Sequence, residues 1–388
     1  MSASATDPLI YMKRAIRAAE KARGTCAPNP FVGAVLVKNG KILAEGWTQA
    51  YGGDHAEIQA LIKAGPQARG ADLYVTLEPC SHFGKTPPCT QAIIKAGVKR
   101  VFFGISDPNP LVNGQGEKQL IETEIEVCKG FCAEEISRQL EYYICRVLKG
   151  RPFVIWKAAL SLDGKYAAQD GSARWISGEK SRLEAHKLRE EADVVLTGLG
   201  TVLSDDPQLN VRLPKPKKQP LRAVLDPKLS IPFETQLVVT AREFPTLLFC
   251  ARGRENSAKA IDLNNRGVEI VPVTALPTNP LPRPELLFRP ERSDLGNILN
   301  LREVLGVLHQ RGCYCVLLEC GSQLASAFFS AKLVDKCVLF YGPKFLGGGK
   351  AILRELPLPD IDAAIPLRDS RWRVCGEDLM LTGYPVFP

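Results

Sequence analysis

The chain of 388 residues lacks any apolar run of about eighteen residues, so no membrane-spanning helix is expected. Its first eight residues offer neither a basic nor an apolar region, which predicts a cytoplasmic protein without a signal peptide. Aromatic residues make up only 7%, and the basic segments have no aromatics interleaved. That argues against a platform on which nucleobases stack. No G-x-G-x-x-G is present: position 203 is Leu in the run that begins Gly198-Leu-Gly200, so a Rossmann cofactor site is not supported. No internal repeat relates the two halves, and there are only 4 histidines.

The composition is otherwise that of a globular protein, 45% hydrophobic and 24% charged, and the length suits two domains. The net charge of +8 fits nucleic acid or phosphorylated small molecules and does not choose between them. The densest basic stretch, Arg212 to Arg222, is rich in proline and reads as a solvated loop. With no export signal, the 12 cysteines do not form a disulfide framework. Most, such as Cys250 and Cys315, lie in apolar runs and read as small buried hydrophobes. Only Cys80 and Cys89 are flanked by Pro, Gly and polar residues.

Apolar spacing predicts a helix over 9–22. Two apolar runs, Phe31–Val37 and Ile42–Trp47, flank Lys38-Asn39-Gly40-Lys41, a hairpin signal. Asp54 is an expected N-cap for a helix from His55 through Ala64. Strands follow at 72–77 and 100–105 with a helix at 90–96 between them, giving an α/β sandwich pattern. A helix over 133–148 ends at Lys149-Gly150-Arg151-Pro152, which places a boundary between domains 1–148 and 149–388. The second part alternates strands (153–159, 194–197, 221–225, 246–250, 315–319, 336–341) with helices (179–190, 301–310, 323–331). That pattern argues for a mainly parallel sheet. The proline-rich stretch 272–290 reads as an irregular surface loop.

Two segments carry chemistry: His55-Ala56-Glu57, and Glu78-Pro79-Cys80 closed by Cys89. One imidazole and two thiols are ligands zinc prefers, and three protein ligands leave a fourth position for water, as in catalytic sites. Glu57, two residues after the His, is placed to carry protons without being a ligand. H-x-E followed by P-C-x-x-C is the signature of zinc deaminases; here the spacing between the cysteines is longer, from Ser81 to Pro88. His82 lies between them and could also ligate. With His55, Cys80 and Cys89 completing a set, it reads as a residue beside the ligands or facing substrate. His186 and His309 read as ordinary helix imidazoles.

With Asn29-Pro-Phe-Val-Gly33, His55-Ala-Glu57, the run Thr76 to Cys89 and Asp107-Pro-Asn-Pro110, residues 1–148 resemble the deaminase half of the bifunctional RibD family of riboflavin biosynthesis. The insert Ser-His-x-Gly-Lys-Thr-Pro-Pro between the cysteines is the distinguishing feature. Lys157 to Lys165, Trp175-Ile-Ser177, Thr201 to Pro207 and Leu317 to Ser322 are similar to the reductase half. The resemblance implies a cytidine-deaminase-like three-layer α/β/α domain followed by a dihydrofolate-reductase-like α/β domain. It implies zinc-dependent deamination of 2,5-diamino-6-ribosylamino-4(3H)-pyrimidinone 5′-phosphate, then reduction of the ribosyl group to ribityl with NADPH. In family terms Asn29, Lys85 and Asp107 line the pyrimidine or phosphate site, and His82 is counted with them as substrate-facing. Trp175, Arg189, Thr201, Asp205, Leu209, Arg212 and Glu319 match positions that hold NADPH or the sugar phosphate, and Lys157, Ala159, Ala173, Ser177, Gly321 and Ser322, in or beside the matching motifs, are further candidates for that site. Gly321-Ser322 before a helix suits phosphate, and Gly347-Gly-Gly349 suits a close approach to the cofactor.

The chain departs from the family pattern at Thr48, where His is frequent, and at Asn113, Gln115, Ala173 and Cys320. Two other readings stand beside the bifunctional one: a deaminase whose second half only binds, and an RNA-editing deaminase. The expected partners are phosphorylated pyrimidines, with no nucleic acid and no membrane. The sequence leaves a homo-oligomer open.

Overall fold

The structure, a computed structural model, describes residues 7–110, 112–276 and 298–388. Two units emerge, Met1–Arg151 and Pro152–Pro388, and each is described by itself.

In the first unit the Asp7 carboxylate accepts from Leu9 N at 2.9 Å and starts α1 (Pro8–Ala19), with Pro8 in the first turn. Strands β1 (Gly33–Lys38) and β2 (Lys41–Trp47) follow. They turn through Asn39 and Gly40 at φ 52° and 76°, the left-handed pair that a tight hairpin requires. Then come α2 (Ala56–Ala64), β3 (Asp72–Leu77), α3 (Cys89–Ala96), β4 (Arg100–Ile105), α4 (Gln115–Ile121), β5 (Glu126–Lys129), α5 (Ala133–Gln139) and α6 (Glu141–Lys149). The sheet order is β2-β1-β3-β4-β5. The hairpin and the β1–β3 pair are antiparallel, and β3, β4 and β5 run parallel. Helices α1 and α5 pack on one face, and α2 joins α3 and α4 on the other, which makes three layers. A Cβ on Gly46 would lie 2.0 Å from Ala56 O, so only glycine lets the start of α2 sit this close to β2.

Three expectations need correction here. Asp54 does not cap α2. His55 occupies the N-cap with extended backbone, while Asp54 Oδ2 accepts from Gln59 Nε2 at 2.8 Å. The stretch 133–148 is two helices rather than one, because Leu140, fully buried, leaves helical geometry at φ −97° and ψ 15°. Helix α4 and strand β5 were not expected at all.

The second unit begins with β6 (Phe153–Ser161), β7 (Lys165–Ala167), α7 (Glu179–Glu191), β8 (Val194–Gly198) and α8 (Leu199–Asp205). It continues with β9 (Leu221–Leu225), α9 (Gln236–Val239), β10 (Thr246–Ala251), α10 (Ala258–Asn265) and β11 (Val268–Val273). Next come β12 (Ala275–Leu276), β13 (Ile298–Leu299), α11 (Leu301–Gln310), β14 (Cys315–Leu318) and α12 (Ser322–Ser330). It closes with β15 (Lys336–Gly342), β16 (Lys350–Ala351), β17 (Leu367–Cys375) and β18 (Asp378–Pro385). Nine strands form one sheet in the order β11-β10-β9-β8-β14-β6-β15-β18-β17. All neighbours from β11 to β15 are parallel, and the last two strands return antiparallel. The core packs Trp156, Leu196, Phe249, Leu305 and Phe328, and Cys250 and Cys315 are buried as expected.

The basic stretch ending at Arg222 is not solvated throughout. Arg222 is fully buried in β9. Its guanidinium donates to Gln208 O, Leu237 O, Phe244 O and the hydroxyls of Thr240 and Thr246. Burial lowers its pKa to about 10, and the full donor set compensates for the lost solvent. The proline-rich stretch also begins in structure rather than in a loop, with Pro272 in β11, an edge strand where a missing N–H is tolerated. Its residues 277–290 lie outside the described residues.

Candidate active sites

In the first unit the chemistry gathers where the parallel strands end. Glu78, Pro79 and Cys80 follow β3, Asp107 lies just past β4, and His55 and Cys89 open α2 and α3. His55 Nδ1 is 3.6 Å from Cys80 Sγ and 3.3 Å from Cys89 Sγ. The three ligand atoms all lie within 4.8 Å of one another. A tetrahedral zinc with bonds of roughly 2.3 Å to sulfur and 2.0–2.1 Å to nitrogen holds its ligands roughly 3.5–3.8 Å apart, so the donor set fits that ion. His82 is exposed and is not part of the cluster.

The electrostatics also suit a cation. Cys89 N donates to Cys80 Sγ at 3.4 Å at the start of α3, where the helix end favours a thiolate. Hydrogen bonding from the Cys89 thiol, with help from His55, brings Cys80 down to about 4. Cys89, as the donor and a buried group, is pushed up. Hydrogen bonding to Cys80 raises His55 to about 9. Glu57 is 4% exposed, and burial raises its carboxyl above the usual range. A buried carboxyl shifted in that direction, beside a metal-ligand cluster, is suited to proton transfer.

Around this cluster, Lys85 Nζ sits 4.0 Å from the Tyr51 ring centroid, and His82 and Lys85 are exposed on the same loop. Asn29 is half-buried on a segment held by Thr48. The Thr48 hydroxyl donates to Pro30 O and accepts from Val32 N, both at 3.0 Å. Thr48 therefore shapes the Asn29 loop from within. Asp107 Oδ1 accepts from Tyr143 OH at 2.8 Å and Asn109 N at 2.9 Å. Sequence reasoning missed what Glu78 does: its two carboxylate oxygens accept from four backbone amides, those of Asp107, Gly114, Gly116 and Glu117. Those partners lie 29 to 39 residues away, beyond any local pattern.

In the second unit a cleft of about 1470 Å³ opens at the carboxyl ends of β6, β8, β9 and β14. The chain passes from β6 to β8 while β14 lies between them. A crevice at such a switch point is where open α/β sheets bind ligands. Lys157, Ala159, Ala173, Trp175, Ser177, Arg189, Thr201, Asp205, Leu209, Arg212, Glu319, Gly321 and Ser322 all line it. At one side Glu319 accepts from Arg189 Nε at 2.6 Å and Nη2 at 3.0 Å, with Lys157 Nζ at 3.5 Å. Burial alone would raise Glu319, but Arg189 and Lys157 hold it well below the usual carboxylate range. The Arg189 fork is thus occupied by a protein carboxylate. Arg212 is exposed; its Nη1 donates to Asn210 Oδ1 at 2.8 Å, and its backbone N donates to His186 Nδ1 at 3.3 Å. The Ser322 hydroxyl pairs with Glu355 and accepts from Arg354 N at 2.9 Å. Gly347 to Gly349 lie outside the cleft lining. Gly347 N donates to Asp163 Oδ2 at 2.8 Å, and a Cβ on Gly349 would lie 2.4 Å from Ala167 O. The close approach of Gly349 is to the protein's own backbone.

Residues 6–105 match the family model described as the cytidine and deoxycytidylate deaminase zinc-binding region, and residues 152–381 match the RibD C-terminal domain. The riboflavin biosynthesis protein RibD of Aquifex aeolicus is 39% identical over 96% of this chain and 96% of its own length. The chain belongs to the RibD family. RibD of Bacillus amyloliquefaciens is 40% identical over 97% of this chain and 95% of its own length. Among solved structures, RibD of Acinetobacter baumannii superposes with a TM-score of 0.81 at 31% identity, covering 97% of this chain and 98% of that one. A Thermotoga maritima protein titled diaminohydroxyphosphoribosylaminopyrimidine deaminase/5-amino-6-(5-phosphoribosylamino)uracil reductase gives 0.80 at 34%, with the same coverage. The RibD fold expected from the residues, a cytidine-deaminase-like domain followed by a reductase domain, is the one present. The chain is a bifunctional enzyme of riboflavin biosynthesis with a deaminase and a reductase part. Its deaminase part carries a zinc-binding region, and no helix among the described residues is long and apolar enough to cross a membrane.

Proposed function

We propose that the first unit hydrolytically deaminates 2,5-diamino-6-ribosylamino-4(3H)-pyrimidinone 5′-phosphate. The second then reduces the ribosyl group of 5-amino-6-(5-phosphoribosylamino)uracil with NADPH. The observation that carries the deaminase reading is a buried Glu57 beside the His55–Cys80–Cys89 cluster. Those three residues would hold zinc, which when bound makes water acidic enough to serve as a nucleophile near neutral pH. Glu57 takes a proton from the attacking water and passes it to the ring nitrogen and the departing amine. Water enters, ammonia leaves, and a ring carbonyl replaces the exocyclic amine. In this reading the Asn29 amide reads a ring edge, Lys85 with His82 meets the phosphate, and Asp107 contacts the substrate.

In the second unit NADPH would supply the hydride. Trp175, Thr201, Gly321 and Ser322 frame its place, with Ala159, Ala173, Ser177 and Leu209 shaping the walls. Arg212 is suited to the 5′-phosphate because its planar fork matches phosphate oxygens. Asp205 is suited to a sugar hydroxyl, and the Lys157–Glu319–Arg189 group fixes the cleft wall against which the sugar chain lies. The test is a pair of assays on the full-length protein. Ammonia release from the diaminopyrimidine and NADPH oxidation on supplied deaminated product are measured separately, the latter against NADH. Absence of the first refutes the deaminase; absence of the second leaves a binding-only second half.

A further inference from the structure

We propose that Glu78 is a positioning residue of the deaminase site. Its carboxylate locks Asp107 and the start of α4 onto the metal-ligand loop, so that Asp107 keeps its place beside the bound pyrimidine. The inference rests on the deaminase reading of that site. Glu78 is 2% exposed and stands two residues before Cys80. Oε2 accepts from Asp107 N at 3.3 Å and Gly114 N at 3.0 Å. Oε1 accepts from Gly116 N at 3.0 Å and Glu117 N at 3.2 Å. Its own N donates to Ile105 O at 3.0 Å. One side chain thus reaches both ends of the excursion that leaves β4 and returns as α4.

The choice of residue is physical. An ionised carboxylate is acceptor-only, with room for about four hydrogen bonds, and here it meets four amides. Glutamine, nearly the same shape, would turn an NH₂ toward one pair of N–H donors. It would lose two bonds and set donor against donor. The fit is tight from the other side as well: a Cβ on Gly116 would lie 2.0 Å from Pro79 O. His55 and Cys89 stand at the starts of α2 and α3. Cys80 is tied to α3 by Cys89 N, donating to its Sγ at 3.4 Å, and by Thr90 N, donating to its O at 3.2 Å, so the ligand cluster has supports of its own besides this lock. Asp107 depends on it, because its backbone N is one of the four donors and its side chain is already aligned by Tyr143 and Asn109. Loss of the lock should therefore loosen substrate binding more than it slows the chemistry.

The experiment uses the full-length zinc-loaded enzyme. Glu78→Gln and Tyr143→Phe are compared with wild type for deaminase kcat and KM, zinc content, melting temperature and reductase rate. The reductase serves as an internal control for the same molecules. The expected result for Glu78→Gln is a KM raised about tenfold or more with kcat changed by less than about threefold, full zinc and unchanged reduction. A lower melting temperature with KM unmoved would make Glu78 purely structural and overturn the proposal. So would loss of zinc, which would make it an anchor of the ligands. If Glu78→Gln does not fold, Tyr143→Phe decides: a KM rise of about threefold or more at unchanged kcat supports the lock, and an unmoved KM refutes it. Failure of the deaminase reading itself would show separately, as wild type that releases no ammonia.

Discussion

Glu319→Gln should unsettle the reductase unit more than Arg189→Met, and the structure gives the order. Glu319 is held by two Arg189 nitrogens at 2.6 and 3.0 Å and by Lys157 Nζ at 3.5 Å. The Lys157, Arg189 and Glu319 side chains are 17%, 12% and 12% exposed. Removing one partner of a buried pair costs about 3–5 kcal/mol, because the remaining charge stays desolvated. Glu319→Gln leaves two cations facing each other without an anion and belongs at the top of that range. Arg189→Met leaves the carboxylate with Lys157 and belongs at the bottom. At about 2–4 °C per kcal/mol for a unit of this size, Glu319→Gln should lower its melting temperature by roughly 10–20 °C. Calorimetry would show this in one transition while the deaminase rate holds and NADPH oxidation is lost. The pH dependence has a definite sign. A carboxylate whose folded pKa is depressed contributes stability above its unfolded pKa of about 4.3, lost as pH falls from there toward the folded value. The gap between variant and wild type should therefore be full at neutral pH and close in acid. If Glu319→Gln melts within about 1 °C of wild type at neutral pH, the pair is not the buried support described.

Three further outcomes are expected, besides that for Glu78. Glu57→Gln keeps the shape but removes the proton carrier, so ammonia release should fall by roughly 10²–10⁴-fold with zinc still bound by elemental analysis. A near-normal rate would assign the proton transfer elsewhere. Cys89→Ala removes one of three ligand donors and should leave purified protein with little zinc; full metal content would refute the ligand set. Arg222→Met takes the guanidinium donors from the carbonyls of Gln208, Leu237 and Phe244, with the Thr246 hydroxyl still in reach of the last two, and urea unfolding should show a loss of at least about 2 kcal/mol. A neutral result would mean that the apolar replacement packs well enough to offset them.

What was legible in the sequence was local. Strands 72–77 and 100–105 match β3 and β4 because continuous β-branched and aromatic runs bounded by turn residues have one reading. Asn39-Gly40 marked its hairpin for the same reason. That His55, Cys80 and Cys89 would cluster was readable because metal chemistry restricts residue types more than folding does. Helix α4 escaped because it is short and mostly polar, with its buried face reduced to Gly116 and Leu120. The closing hairpin escaped because β17, an exposed edge strand, carries the polar run Arg368-Asp369-Ser370 and shows only Trp372 and Val374 as an apolar alternation. Asp54 was chosen as a cap by residue type, whereas the cap position went to the residue whose ring faces the metal cluster. The clamp of Glu78 and the pairing of Arg189 with Glu319, which are 130 residues apart, are long-range choices that no window of sequence contains.

Strand β14 lies between β6 and β8 although both precede it in the chain. Glu319 follows Lys157 by 162 residues, which at roughly 5–20 residues per second is roughly 8–32 s of synthesis. From the completion of β8 at Gly198 until Cys315 is made, the growing chain carries two apolar strands on either side of a slot whose filler does not yet exist. Any early pairing of β6 with β8 would have to come apart before the slot could be filled. The reductase cleft is therefore assembled late, and a ribosome stalled before residue 315 would hold a finished deaminase unit beside a sheet open at its centre.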